Sequence, residues 1–409
     1  MSSVASRSLL LLVLAGSMLV VATPPAWSQQ RTSTMLSERL KTRPEDATLY
    51  YYLAMFEIAE GNKAAGLEAL RHLEQIGKGF LPMPGTPFDS VWSDTSFQRT
   101  RQALLAKLPR VTEARELFRL DAGMIPEGIA YDPVTRSYFV GSIARAQIVR
   151  VDSAGKVSTW SKPGELHQVL GLVVDAKRRR LHAVSTSAIA PRGLKPVNRI
   201  VSYDLDSGAR LRAIEVPAAA QLNDVTVSPD GDLYTSDSQA GAVFRIRAAG
   251  TIDTLAAPGR LPGANGVAVS ADGAALFVGH SSGIARIELS DGTILPRLEI
   301  PAGETVAGID GLYSDGATLI GIQNVTNPGR VIRIHLRPDG KRAERIETLL
   351  SHHHPAIDEP TTGVIVGRTF ALLATTQVAR FTPEGKIDSP GTLKPPVVLS
   401  IELDGRNRN

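Results

Sequence analysis

The chain has 409 residues, 43% of them hydrophobic and 21% charged, and a formal net charge of +4. It contains no cysteine, which excludes disulfides and thiolate metal sites and leaves packing as the source of stability. Aromatic residues make up only 5%, and with so small a charge margin a stacking surface for nucleic acid is not expected.

Residues 1–28 read as a secretory signal peptide. Arg7 supplies the positive start, Leu9 to Val21 is an apolar stretch broken only by small residues and Ser17, and Ala26-Trp27-Ser28 offers small residues for cleavage. That stretch is too short and wrongly flanked for a spanning helix. No later segment approaches the roughly 20 apolar residues that a membrane span needs. The expected location is therefore periplasmic or secreted.

Residues 29–112 read as a helical cap. From Asp46 to Ile76, Ala47, Tyr50, Leu53, Ala54 and Ile58 fall at helical spacing, Gly61-Asn62 interrupts it, and Ala65, Leu67, Leu70 and Leu73 resume it. Two helices around a Gly-Asn turn resemble a single tetratricopeptide-type hairpin. After a Pro/Gly-rich stretch, a third helix is predicted near Phe97 to Leu108, and Phe88, Trp92 and Phe97 read as docking aromatics. One hairpin cannot build a solenoid, because stacked repeats need neighbours to bury their faces. The expectation is a cap packed on the rest of the chain, with protein-partner binding as the alternative.

From Leu117 onward the period changes to two, and Val-, Ile- and Leu-rich segments alternate with Asp-Gly, Ser-Gly and Pro-Asp-Gly turns. The basic run Lys177 to Arg180 lies between two such segments and reads as a solvated hairpin tip. A unit then repeats: a residue, usually followed by Gly, that opens a short strand, a turn, and a second strand. The opening residues are Glu127, Leu170, Asn223, Asn265, Asp310 and Thr362, at spacings of 43, 53, 42, 45 and 52. Four strands and their turns need about 40 to 50 residues. Residues 117–409 are thus predicted to form a six-bladed β-propeller, in a mainly β protein with a small N-terminal helical domain.

Radial symmetry turns a repeated position into a place, so the six opening residues should ring one mouth of the central channel. Five are polar and two are carboxylates. Burying two carboxylates at a narrow axis is costly unless a cation compensates them. Glu127, Asp310, Asn223 and Asn265 together form a hard, oxygen-only donor set that suits Ca²⁺ best, with Mg²⁺, Mn²⁺ or Zn²⁺ as alternatives. Capping of strand entrances is the plainer explanation for any one of them, but four at equivalent positions favour a metal site.

The ordered set Glu127-Gly128, Asn223-Asp224, Asn265-Gly266 and Asp310-Gly311 resembles the SMP-30/gluconolactonase/LRE-like family over roughly residues 120–390. The resemblance implies a six-bladed propeller with one divalent cation on its axis and hydrolysis of lactones or related esters. It implies metal ligation by Glu127, Asn265 and Asp310, a substrate-facing Asn223 that touches the metal or its water, and Asp310 as general base. Sugar lactonases often carry Arg two residues before the Asn-Asp pair; this chain has Gln221, which argues against an aldonolactone. Gln221, Thr362 and His167, which precedes the second blade, are the further candidates for substrate contact.

Gly279-His280-Ser281-Ser282-Gly283 matches the serine-hydrolase elbow, but that elbow needs a helix after the turn, and both flanks here are strand-like. His352-His353-His354 cannot chelate as a unit, since neighbours in an extended loop point alternately; one of them is a candidate for overhanging the mouth. The leading expectation is an exported metal-dependent lactonase or esterase acting on a small molecule. Its rivals are a non-catalytic binding propeller with a structural ion and a propeller lyase.

Overall fold

The computed structural model describes residues 32–189 and 195–403; the expected signal peptide lies outside them. The described residues begin with four helices, α1 (Thr32–Thr42), α2 (Ala47–Ala59), α3 (Lys63–Ile76) and α4 (Thr95–Ala106). Asp46 caps α2 by accepting from the Thr48 and Leu49 amides at 3.1 and 3.3 Å, and Asp94 does the same for α4 from Ser96 and Phe97. Tyr51, Phe80, Phe88 and Phe97 bury their rings together, with Trp92 at the edge. The aromatics expected to dock on the propeller instead form the helical unit's own core. Four short helices have little else with which to bury a face.

Six four-stranded antiparallel sheets make up the rest of the described residues. Blade one is β2–β5 (Pro126–Asp132, Ser137–Ser142, Gln147–Val151, Val157–Thr159), blade two β6–β9 (Gln168–Asp175 to Arg210–Glu215), and blade three β10–β13 (Leu222–Val227 to Ile252–Ala256). Blade four is β14–β17 (Val267–Val269 to Ile294–Leu295) and blade five β18–β21 (Ile309–Asp315 to Ala343–Ser351). Blade six combines both ends of the propeller: β22 (Gly363–Val366), β23 (Thr369–Leu373) and β24 (Val397–Glu402) are joined by β1 (Arg115–Arg119). β1 starts two residues before the expected boundary at Leu117 and pairs with β24 from Arg115↔Ser400 to Arg119↔Val397. The ring is thus closed by strand pairing.

Alternating apolar residues on each strand pack against the next blade. Phe139, Val169, Leu181 and Tyr203 join blades one and two; Phe277, Ile309 and Ile332 join blades four and five; Ile320, Phe370 and Leu399 join five and six. At the Lys177–Arg180 hairpin, only part of the basic run is free. Arg179 reaches Asp132 of blade one at 2.5 and 3.0 Å and Asp206 at 2.7 Å, while Arg178 holds Asp175.

The helical unit docks on blades four and five. Tyr52 Oη donates to Ser281 O at 2.9 Å, Lys78 N to Gly303 O at 2.7 Å and Leu81 N to Thr326 O at 2.8 Å. Arg297 pairs with the helix-capping Asp46. The receiving loops lie at the end of the ring where the innermost strands begin, because Gln323, just before one of them, pairs with Ile309 at the start of β18. No helix among the described residues is long and apolar enough to cross a membrane.

Candidate metal centre

The innermost strands do not begin at the ring residues as expected. In blades one, two, three and five each strand starts earlier and carries a register shift over the ring position: between Pro126 and Ile129, Val169 and Leu172, Leu222 and Val225, and Ile309 and Leu312. A bulge of this kind turns a side chain out of the strand's alternation, and here it falls on Glu127, Leu170, Asn223 and Asp310. In blades four and six the strand starts later, after Asn265 and Thr362.

The glycine after the ring position in blades one, two, four and five lets the next blade close in. A Cβ on Gly266 would collide with the Asp310 carbonyl oxygen, so blades four and five touch backbone to backbone. The ring is sealed between blades six and one, where Thr361 and Thr362 donate their hydroxyls to the Glu127 carbonyl. Thr362 thus donates its hydroxyl to the ring. Leu170 is buried among blade-two and blade-three apolar residues and interrupts the polar circle.

Glu127, Asn265 and Asp310 converge. Asp310 accepts from Asn324 Nδ2 at 2.6 Å and from the Asn265 side chain; burial nonetheless outweighs these bonds and pushes its carboxyl up to about 7. Glu127 is only 5% exposed. Its carboxyl is raised well above the usual range by burial, then by the nearby charges of Asp310 and Asp224. Glu127 Oε2 is buried with no hydrogen-bond partner. A buried carboxylate oxygen without a partner is costly, and two such carboxylates side by side are costlier. A hard cation relieves both at once, so the residues fit the ion that the sequence suggested. Asn223 commits its amide nitrogen to Ser238 Oγ at 2.8 Å, which leaves its oxygen as the donor atom. No three His, Cys, Asp or Glu side chains form a ready cation cluster among the described residues; the set here is two carboxylates completed by amides.

The structure adds further residues to the site. Asp224, which stands where the other blades carry Gly, is a buried carboxylate. It accepts from Val225 N at 2.8 Å and Val267 N at 3.1 Å, and burial raises it to about 7. Tyr313 takes the Gly363 amide on its hydroxyl at 2.7 Å and lies close enough to Asp224, Glu127 and Asp310 to feel their charges. Glu359, on the loop before blade six, accepts from Ala379 N at 3.1 Å. It is raised to about 7 by burial, with Asp310 contributing. Beyond the ring the channel opens into a cavity of about 330 Å³ with Asp224 and Tyr313 among its walls.

Other candidates fall outside this group. His167 precedes β6 and is held by its backbone to Ser185 Oγ at 2.8 Å, and Gln221 donates its backbone N–H to Asp237 Oδ1 at 3.1 Å. Neither has a hydrogen bond to the carboxylates among those described. His353 bonds Ser351 Oγ at 3.0 Å and stacks on His352 at 4.1 Å. His352 also feels the charge of Arg101 on α4, which puts the run at the junction with the helical unit. The serine-hydrolase pattern is a tight hairpin between β15 (Ala275–His280) and β16 (Gly283–Glu288), with His280 Nε2 bonded to the Pro296 carbonyl at 2.8 Å.

Comparison with known proteins agrees with this architecture. A solved gluconolactonase from Xanthomonas campestris matches at 17% identity, covering 72% of this chain and 91% of that one with a TM-score of 0.51. A calcium-binding regucalcin from Agrobacterium tumefaciens matches at 15%, covering 73% and 98% with a TM-score of 0.48. At such identities the likeness concerns the fold alone. No curated protein sequence matches. The family model for the SMP-30/gluconolactonase/LRE-like region matches residues 125–353. With more than half of its length so matched, the chain belongs to the SMP-30/gluconolactonase/LRE-like family.

Proposed function

We propose that the protein is an exported, divalent-metal-dependent hydrolase that opens a lactone or cleaves a small ester. The observation that carries this reading is the unpartnered Glu127 Oε2 beside Asp310 and Asn265. The family and the gluconolactonase-like fold support a lactonase-type propeller, and the first 28 residues support export.

Glu127, Asn265 and Asp310 would hold the cation, Ca²⁺ by the hardness of the donors, with Asn223 beside it. Bound there, the ion supplies Lewis-acid chemistry toward a carbonyl oxygen. The remaining work falls to the chain. Asn223, its amide nitrogen held by Ser238, would face the substrate with its oxygen toward the ion or its water. Asp310, held by Asn324 and Asn265, takes a proton from the attacking water as its oxygen bonds to the acyl carbon. The acyl C–O bond then breaks, and the proton returns from Asp310 to the departing alkoxide. With Gln221 in place of a sugar-binding Arg, a simple lactone or ester is preferred over an aldonolactone.

The test is turnover of a lactone and aryl-ester panel with and without Ca²⁺. Hydrolysis that EDTA abolishes and Ca²⁺ restores is expected. A Ca²⁺-dependent rise in melting temperature with no ester cleaved would instead identify a binding propeller with a structural ion.

A further inference from the structure

We infer that the helical unit is a working part of the catalytic centre: through the turn between β19 (Thr318–Gln323) and β20 (Arg330–Leu336) it positions Asn324, the side chain that holds the Asp310 carboxylate. The inference rests on the role proposed above for Asp310, and it goes beyond that role by giving the N-terminal helices a task inside the enzyme.

The turn spans residues 324–329, and its first residue is in the site. Asn324 Nδ2 donates to Asp310 Oδ2 at 2.6 Å and to the Pro360 carbonyl at 2.9 Å. One amide nitrogen thus joins blade five to the loop that enters blade six. An Asn side chain has two torsions, so where it sits is decided by its backbone. The rest of the turn is clamped by the helical unit. Val325 O accepts from Tyr51 Oη at 3.4 Å, Thr326 O from Leu81 N at 2.8 Å, and Asn327 Nδ2 donates to Gly79 O at 3.3 Å. Thr326 and Asn327 are 0% and 1% exposed. Buried Arg330 closes the turn by binding Gln323 Oε1 at 2.8 Å and the Thr305 carbonyl at 3.3 Å, and its guanidinium lies so close to Gly79 that a Cβ there would collide with it.

The strand that carries Asp310 is gripped from its other side. The loop entering β18 contains Gly303, whose carbonyl accepts from Lys78 N. A Cβ on Gly303 would run into the Ile76 carbonyl oxygen, and its φ of +77° disfavours any other residue. Both members of the Asp310–Asn324 pair therefore emerge from segments held by the helices. Partners that orient a metal ligand are worth about 10- to 100-fold in metal affinity or activity, and this is the scale on which displacing the helical unit should register.

The experiment uses the full chain and four variants: N324A at the pair, N327A and G303A at the helical contacts, and R179M at a distant inter-blade bridge as control. Amide hydrogen exchange over residues 307–325, Ca²⁺ titration by calorimetry, and kcat and KM on the best ester of the panel are measured on each. N324A is expected to weaken Ca²⁺ binding about tenfold. N327A and G303A are expected to speed exchange in that segment, weaken Ca²⁺ binding by a smaller factor and lower kcat with KM little changed. R179M is expected to lower the melting temperature and move none of the other readouts. Wild-type exchange in N327A and G303A, or faster exchange with unaltered Ca²⁺ affinity, overturns the inference; should G303A not fold, N327A decides. A wild-type protein that neither binds Ca²⁺ nor cleaves any ester would instead defeat the functional reading, and the exchange data would still report whether the helices hold the turn.

Discussion

The strand β2 carries a carboxylate near each end, and the two are treated in opposite ways. At the mouth, Glu127 is buried with one oxygen unpaired and its proton affinity raised. At the far end, Asp132 is fully buried too, but Arg179 meets it at 2.5 and 3.0 Å. Burial alone would raise the Asp132 carboxyl; the Arg179, Thr135 and backbone hydrogen bonds outweigh it and hold it at about 2. β18 repeats the contrast, with Asp310 held by amides at the mouth and Asp315 facing Arg333 at 3.5 Å at the far end. Asp175 with Arg178 and Asp232 with Arg245 complete the cationic rim. A buried acid that is to stabilise a fold receives a guanidinium, whereas one that is to bind or react is left with neutral partners and an unfilled valence.

The largest effect should come from breaking the mouth. Asp310→Ala is expected to lower ester or lactone turnover by about a thousandfold or more without loss of thermal stability, since it removes a charge that burial disfavours; steady-state kinetics and a melting curve check both halves. Next, saturating Ca²⁺ should stabilise the fold by about 3 kcal/mol at one hundred times its Kd, and EDTA should reverse this; a melting temperature indifferent to both would sink the metal assignment. Breaking the rim should do the converse. Arg179→Met is expected to cost about 3 kcal/mol in urea unfolding while turnover stays within about twofold of wild type.

The rim also has a pH signature. The Asp132 carboxyl is depressed in the folded state, so its contribution is fully present above the ordinary carboxylate value near 4 and is lost as pH falls toward 2. Wild type and Arg179→Met should therefore converge in stability across that window, as measured by urea unfolding at stepped pH. At the small end, the exposed Lys394–Asp358 pair, at 2.8 Å, should be nearly weightless: Lys394→Ala is expected to shift stability by under about 0.5 kcal/mol.

Much of this architecture was legible in the sequence, because a propeller repeats and a repeat assigns places. Glu127, Asn223, Asn265 and Asp310 could be put on one ring from spacing alone, and the structure sets Glu127 and Asn265 beside Asp310. What escaped depends on contacts between different repeats. Asp224 stands where other blades carry Gly, and only the approach of Val267 from the next blade makes it a buried acid. Asn324 ends a second strand and looks like any turn residue until Asp310 meets it from the first. The aromatics of 88–97 mislead for a related reason: periodicity reports that a ring is buried and does not say against what. The bulges that re-aim the ring residues leave no mark on a pattern of alternating polarity.

The pairing of β1 with β24 bears on how the protein is made. In a chain with no cysteine, the clasp that seals the ring joins the earliest-synthesised strand of the propeller to the latest. The ring cannot close until Val397–Glu402 has been made, and up to that moment blade six offers two bare edges inviting mispairing. A strand released so late is the most sensitive one to lose: without Val397–Glu402, β1 is orphaned and the whole circle reopens.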